Sequence, residues 1–258
     1  MLGVTHSPVK QGKLVPAAVG SERRVHAPVV LPVRAHLDRL MAFPWSADIT
    51  VSAPPALPKR RTFTFRDQSY PYFVHHYNST ATNERCVEVP LALAVLGRGA
   101  GVPARTPPGP VLEIGNVLGH YGVNNHTVID KYERVEGVMN VDAADYEPSE
   151  LFGTIVSIST LEHVGWDQDG NDPEKVSRVL VSLGRWLAPG GKLLITVPVG
   201  FNPYLDALLR DGKTGTEVGF LRRVNDDNDW EQVEATIDWP EEYGSGSGRT
   251  DLLAVLTR

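Results

Sequence analysis

The 258-residue sequence predicts an α/β fold, a doubly wound, mostly parallel sheet with helices on both faces. Three observations predict it. From Val111 onward, short apolar segments rich in β-branched residues alternate with amphipathic helical ones. Two of the helical segments open with the same signal, a polar cap followed by proline: Asp172-Pro173 and Asn202-Pro203. And the first apolar strand, Val111–Ile114, exits through an acid, Glu113, into a turn with glycines at Gly115, Gly119 and Gly122. In sheets of this class the exit of such a strand is where ligands sit.

Residues 1–59 predict a proline-rich arm and residues 60–258 the folded domain: eight of the 20 prolines precede Lys59, a density that works against an independent core. Within the arm, "VRAHLDRLMAF" predicts a short helix with Val33, Leu37, Leu40 and Met41 on one stripe, stopped by Pro44. Arg61–Thr80 is aromatic-rich and irregular and predicts a packed lead-in rather than a regular element. "TNERCVEVPLALAVLG" predicts a helix capped by Thr82 or Asn83, with Glu84 in its first turn, a kink at Pro90 and an end at Gly97. Strands are predicted at Val111–Ile114, His126–Ile129, Gly137–Val141, Thr154–Ser159 and Lys192–Val197. Between the last two, Val176, Val179, Leu180, Leu183 and Leu187 form one helical stripe that Gly190 and Gly191 turn back toward the sheet. "NPYLDALLRDG" repeats that grammar. "VGFLRRV" and "DLLAVLTR" complete seven strands, joined by a flexible "GSGSG".

The formal net charge of −6 argues against a broad electrostatic grip on nucleic acid. The single cysteine, Cys86, cannot form an internal disulfide and lies in an apolar-patterned segment, so inert burial is expected. No apolar run approaches a membrane span and "MLGVTHSPVKQGKLVP" has no continuous apolar leader core, so a cytoplasmic protein is expected.

Two kinds of cofactor compete for the glycine turn. A dinucleotide turn needs G-x-G-x-x-G, so that a pyrophosphate reaches a helix N-terminus. Here Asn116-Val117 follow Gly115, the second glycine is missing, and acidic Glu113 sits badly beside a pyrophosphate. A phosphate-free cofactor with an amino-acid end fits better.

At these residues the sequence resembles the class I S-adenosylmethionine-dependent methyltransferase superfamily. Its first motif, E/D-x-G-x-G-x-G, is matched at Glu113, Gly115 and Gly119, with Val117 departing from the middle glycine. The acid at the end of the next strand is matched by Asp130 in "HTVIDKYE", "NVDAAD" supplies Asp142, and "FGTIVSISTLEHVG" carries Ser159 at the edge of the reaction site. "LAPGGKLLITVP" matches the family's helix–turn–strand passage. The resemblance spans roughly Phe63 to Val199. More narrowly, "NERCVEVP", "EIGN", "VIDKYE" and "SISTLEHVG" are similar to methyltransferase-like proteins of poorly defined substrate, some near glycan-building enzymes.

The resemblance implies a Rossmann-like, seven-stranded sheet and S-adenosylmethionine as cofactor, with S-adenosylhomocysteine as product. It implies that Glu113, Gly115, Asn116, Gly119, Tyr121, Asp130, Asp142 and Ser159 form the cofactor site. Asp130 would accept from both ribose hydroxyls, and Asp142 would receive the adenine amino group. Tyr121 lines that pocket or packs beneath the sheet. Arg85 pairs with the cofactor carboxylate or is a solvated helix charge. His163 is the candidate catalytic base, with Glu162 facing the same choice between chemistry and pocket shape. His75 and His76 reach over the site or form an aromatic surface, and Trp230 and Trp239 pack in the core or stack on an acceptor. "WDQDGNDPE" imitates a calcium loop, but its glycine is displaced to Gly170 and its twelfth position is Arg178, so no metal site is expected. The expected reaction is methyl transfer to an oxygen or nitrogen of a small-molecule acceptor, a sugar or glycoconjugate among the candidates. A non-catalytic cofactor-binding protein, a glycan-assembly partner and a nicotinamide oxidoreductase are the alternatives. Neither nucleic acid nor membrane is an expected partner.

Overall fold

The computed structural model describes residues 61–99, 107, 109–167, 170–234, 239 and 250–258. The expected arm, its helix and the "GSGSG" connection lie outside the described residues.

The lead-in is regular after all. Strands β1 (Thr62–Phe65) and β2 (Gln68–Pro71) form an antiparallel hairpin in which Phe65 faces Gln68. Its two turn residues, Arg66 and Asp67, have φ of +50° and +60°. That is the backbone of the tight hairpin turn usually written Asn-Gly. An Arg-Asp turn carries no such signal, which is why the strands were not expected. Phe63 and Phe65 alternate inward and are buried. Helix α1 (Arg85–Val95) then runs through Pro90 without a break. Proline cannot donate to the carbonyl four residues back. That carbonyl belongs to Cys86, and the Phe73 backbone N–H satisfies it at 2.9 Å.

The main sheet contains β3 (Val111–Ile114), β4 (Thr127–Ile129), β5 (Val138–Met139), β6 (Phe152–Ile158), β7 (Leu187–Pro198), β8 (Glu217–Arg223), β9 (Trp230–Val233) and β10 (Leu252–Thr257). The spatial order is β5-β4-β3-β6-β7-β10-β8-β9. Pairs β4–β5, β3–β4, β3–β6 and β6–β7 are parallel, while β10 runs antiparallel to β7 and to β8. This is a Rossmann-like α/β sheet. All seven expected strands are present, and the count is corrected to eight by β9, which pairs antiparallel on the edge of β8. Trp230 alone of its four residues is buried, so the segment lacks an alternating pattern.

Strand β7 shows how one sequence serves two cores. Leu193, Ile195 and Val197 face one side with helices α2 (Lys175–Trp186) and α3 (Pro203–Arg210), and Leu194 faces the other with Val87 and Leu91 of α1. Each fully buried leucine or isoleucine stabilises the fold by about 1.5–3 kcal/mol. Asn202 caps α3 as expected, its Oδ1 accepting from Tyr204 and Leu205 N–H. Asp172 Oδ1 accepts from Glu174 N–H ahead of α2. The β3-to-β4 connection carries only a single 3₁₀ turn, Leu118–Tyr121. No helix among the described residues is long and apolar enough to cross a membrane.

Candidate active site

The chain order reverses at β3. Strand β4 lies on one side of it and β6 on the other, and in sheets of this class such a reversal is where ligands bind, at the carboxyl ends of the strands. Gly115 leaves the strand with φ +83°, and its N–H donates to the Ile129 carbonyl of β4 at 2.9 Å. A Cβ there would stand 2.2 Å from Thr160 Oγ1, just past β6. A Cβ on Gly119 would stand 2.3 Å from Asn116 Oδ1. At Gly115 the positive φ and the close approach of Thr160 both favour glycine; at Gly119 a Cβ would require the Asn116 side chain to shift.

Glu113 is fully buried. Its Oε1 accepts from Val117 N–H at 2.9 Å and Leu118 N–H at 2.8 Å, and its Oε2 meets His126 Nε2 at 2.6 Å. With no exposed surface and both oxygens engaged, the carboxylate holds the shape of the turn. Asn116 is likewise tied down, Nδ2 donating to Glu133 Oε1 at 3.1 Å.

Asp130 sits at the end of β4, half-buried. Its Oδ1 accepts from Tyr132 and Glu133 N–H, each at 2.7 Å, which holds the carboxylate rigid. Oδ2 makes no hydrogen bond among the described residues. Asp142 is different. Its Oδ1 accepts from Ala144 N–H, and its Oδ2 meets Lys175 Nζ at 2.6 Å and Lys131 Nζ at 2.9 Å. Desolvation pushes its carboxyl up, but the hydrogen bonds from Lys175, Ala144 and Lys131 outweigh this and hold it below the usual value. These contacts tie Asp142 to Lys175 of α2 and to Lys131, which follows β4.

A second cluster is built on α1. Glu88 is fully buried; its Oε2 pairs with Arg85, and its Oε1 accepts from Ser159 Oγ at 2.6 Å and Thr196 Oγ1 at 2.8 Å. Ser159, expected to touch the cofactor, has its hydroxyl committed to Glu88. Its backbone φ of +36° falls in the left-handed region that a serine enters only under constraint. Burial works against the Arg85 charge, but Glu88 and Glu84 reverse that and hold the guanidinium protonated. Burial raises the Glu84 and Glu162 carboxyls, with Arg85 opposing in both cases. Three buried oxygens here have no hydrogen-bond partner among the described residues: Glu84 Oε2, Glu162 Oε2 and the Tyr121 hydroxyl. Buried polar atoms without partners are uncommon and mark a place where a polar ligand fits.

Tyr121 lies under an aromatic roof. Phe73, His75 and Tyr77 meet its ring edge-on at centroid distances of 5.0, 5.3 and 5.8 Å. The lead-in therefore packs on Tyr121 of the glycine turn through His75, with the His76 ring tilted against His75 at 4.3 Å. His163 Nδ1 stands 2.9 and 3.1 Å from the Asp167 carboxylate oxygens. A carboxylate only accepts, so the proton sits on Nδ1 and Nε2 is left as the basic nitrogen. Nε2 is 4.0 Å from Glu162 Oε1.

The remaining candidates resolve structurally. Trp230 is core, its indole N–H donating to Asn228 Oδ1 at 3.0 Å. Trp239 packs on Phe220 at 5.5 Å and under Arg210. Cys86 is buried, and burial raises its thiol to about 12, which makes it inert. An apolar cavity of about 240 Å³ between β2 and α1, lined by Tyr70, Tyr72, Phe73, Pro90 and Leu93, contains none of the expected site residues. Three site-building residues were missed from sequence: Glu88, Thr196 and His126. The legible signal for Glu88 was an acid set among Val87, Val89 and Leu91. Thr196 and His126 carry no local signal.

No protein-family model matches the chain, and no curated protein matches it. Among solved structures, it is similar to the N-methyltransferase NodS from Bradyrhizobium japonicum WM9 in complex with S-adenosyl-l-homocysteine. The identity is 18% and the TM-score 0.39, over 68% of this chain and 88% of that one. It is similar to the glycopeptide N-methyltransferase MtfA complexed with sinefungin, at 13% identity and TM-score 0.35, over 68% and 95%. The sugar N-methyltransferase KedS8 from a Streptoalloteichus species matches at 16% identity and TM-score 0.25, over 34% and 41%. Scores this low leave the fold class resting on the strand order of this chain itself.

Proposed function

We propose that residues 60–258 form an S-adenosylmethionine-dependent methyltransferase acting on an oxygen or nitrogen of a small molecule, a sugar among the candidates, in the cytoplasm. One observation carries the reading: at the strand-order reversal, a glycine-shaped turn and a rigid Asp130, whose Oδ2 makes no hydrogen bond among the described residues, stand at adjacent parallel strand ends. The partnerless Tyr121 hydroxyl and Glu162 Oε2 fit a polar ligand.

When bound, the cofactor supplies a methyl group activated by a sulfonium. The chain's residues would do the rest. Asp130 accepts from the ribose hydroxyls through Oδ2. Gly115 lets the turn pack against Thr160, and Glu113 holds the turn in shape. Arg85, already charged, faces the carboxylate of the amino-acid end. His163, oriented by Asp167, takes a proton from the acceptor through Nε2. The aromatic roof over Tyr121 excludes water.

A thermal-shift panel tests the reading. S-adenosylhomocysteine at about 100 times its Kd should add about 2.7 kcal/mol. For a domain of this size that raises the Tm by about 5–10 °C. Stabilisation by NADH without stabilisation by S-adenosylhomocysteine would replace it with the oxidoreductase reading.

A further inference from the structure

The turn after β4 and the glycine turn after β3 are joined by the side chain of Glu133. Its backbone N–H donates to Asp130 Oδ1 at 2.7 Å, so the residue belongs to the short turn that fixes that carboxylate. Its own Oε1 reaches across to the glycine turn. There it accepts from Asn116 Nδ2 at 3.1 Å and stands 3.4 Å from His120 Nε2. Asn140 Nδ2 donates to the backbone carbonyls of both Glu133 and Asp130, the second at 3.2 Å, which ties the turn to the chain leaving β5. The Asn116 amide is seated against Gly119, its Oδ1 filling the space a Cβ would take there. His120 is seated by the lead-in, its ring stacked on Tyr77 at 4.5 Å and 16°. The Glu133 side chain is 29% exposed, so the hydrophobic core does not depend on it.

We propose that Glu133 is a positioning residue for the nucleoside end of the cofactor: it clasps the turn that carries Asp130 to the glycine turn, and so sets where the Asp130 carboxylate stands relative to β3. This rests on the cofactor reading above. The physical reason is where the anchoring stops. Both hydrogen bonds to Asp130 Oδ1 come from residues two and three further along the chain. They fix the carboxylate within its own turn and leave the turn itself to be held by other contacts. Toward β3, parallel pairing runs as far as Ile114 beside Ile129, and the Gly115 N–H adds one bond to the Ile129 carbonyl. Past that point the Asn116–Glu133 hydrogen bond continues the connection through side chains. A charged acceptor makes such a bond stronger than a neutral one would be. A binding group holds its ligand well only when its supporting contacts keep it within about 0.5 Å of the productive geometry. Ribose hydroxyls reaching Asp130 Oδ2 therefore depend on a residue they do not touch.

Calorimetric titration of S-adenosylhomocysteine into the full chain tests this in wild type, Glu133→Ala, Glu133→Gln and Asp130→Asn, each confirmed folded by its melting curve. Glu133→Ala should bind about tenfold more weakly than wild type, the value of one hydrogen bond to a charged group. Glu133→Gln, whose amide oxygen still accepts from Asn116 Nδ2, should recover most of that loss. Because Glu133 acts through Asp130, the two effects should not add: in an Asp130→Asn background, Glu133→Ala should cost no more than about threefold. A purely structural role would weaken binding by the same factor whether or not the Asp130 carboxylate is present. Wild-type affinity in Glu133→Ala, a glutamine variant as weak as the alanine one, or the same fold loss in both backgrounds overturns the proposal alone. Failure of the folded wild type to bind S-adenosylhomocysteine overturns the cofactor reading beneath it.

Discussion

Gly115→Ala probes the turn at its tightest point. The native φ of +83° lies where an alanine pays about 1–2 kcal/mol in steric strain. The added Cβ would also stand 2.2 Å from Thr160 Oγ1, a separation no atom pair tolerates. The hydroxyl can rotate away, but it then gives up its 3.0 Å bond to the Ile158 carbonyl, a loss of about 1 kcal/mol. The sum is a destabilisation of about 2–3 kcal/mol, read by urea unfolding with an unchanged m-value. The two contributions separate in a double-mutant cycle. In a Thr160→Ala background the clash with Oγ1 is gone, leaving the backbone strain and a tight 3.1 Å contact with the residue-160 Cβ, so Gly115→Ala should cost about 1 kcal/mol less there. A loss near zero in the single variant, or strict additivity with Thr160→Ala, refutes the close approach of the turn to the end of β6.

Other substitutions test the rest of the site. Glu88→Ala strands the Arg85 charge and two hydroxyls in the interior and should destabilise by about 3–5 kcal/mol by chemical unfolding; a loss under about 1 kcal/mol contradicts a buried ion pair. Glu113→Ala should weaken S-adenosylhomocysteine binding more than Glu113→Gln, because glutamine still offers an oxygen to Val117 and Leu118 N–H; equal losses in titration argue against turn-building. Asp206 supplies a pH test. Burial raises its carboxyl to about 6, against opposing contributions from Gly200 N–H and Arg210. A carboxyl raised on folding favours the folded state at low pH, so its contribution declines as pH climbs from about 4 to about 6. Asp206→Asn should therefore be more stable than wild type at pH 7, with the advantage fading toward about pH 4 in denaturation curves; a constant difference rules out the shift.

The alternation of strands and helices was legible because both periods were strong: Val111–Ile114 matches its strand residue for residue, and Asn202-Pro203 caps α3 as written. The hairpin at Thr62–Pro71 was not, since Arg66-Asp67 adopts a left-handed turn without glycine or asparagine to announce it. The resemblance pointed to Glu113, Ser159 and Asp142, and the structure engages each carboxylate or hydroxyl with a partner distant in sequence: His126, Glu88 and Lys175. Such long-range pairings leave no mark in local pattern. Asp130 differs because its partners, Tyr132 and Glu133 N–H, are local and both bind Oδ1, and Oδ2 makes no hydrogen bond among the described residues.

That oxygen is the most direct test of the account. Calorimetric titration of S-adenosylhomocysteine into wild type and Asp130→Asn compares two carbonyl-type acceptors for Tyr132 and Glu133 N–H, and only one anionic acceptor for a ribose. The account predicts measurable binding to wild type and a loss of about 10–100-fold in the variant, the value of a charge-assisted hydrogen bond, with melting temperature nearly unchanged. Equal affinity in the two proteins, or no binding to a folded wild type, contradicts it.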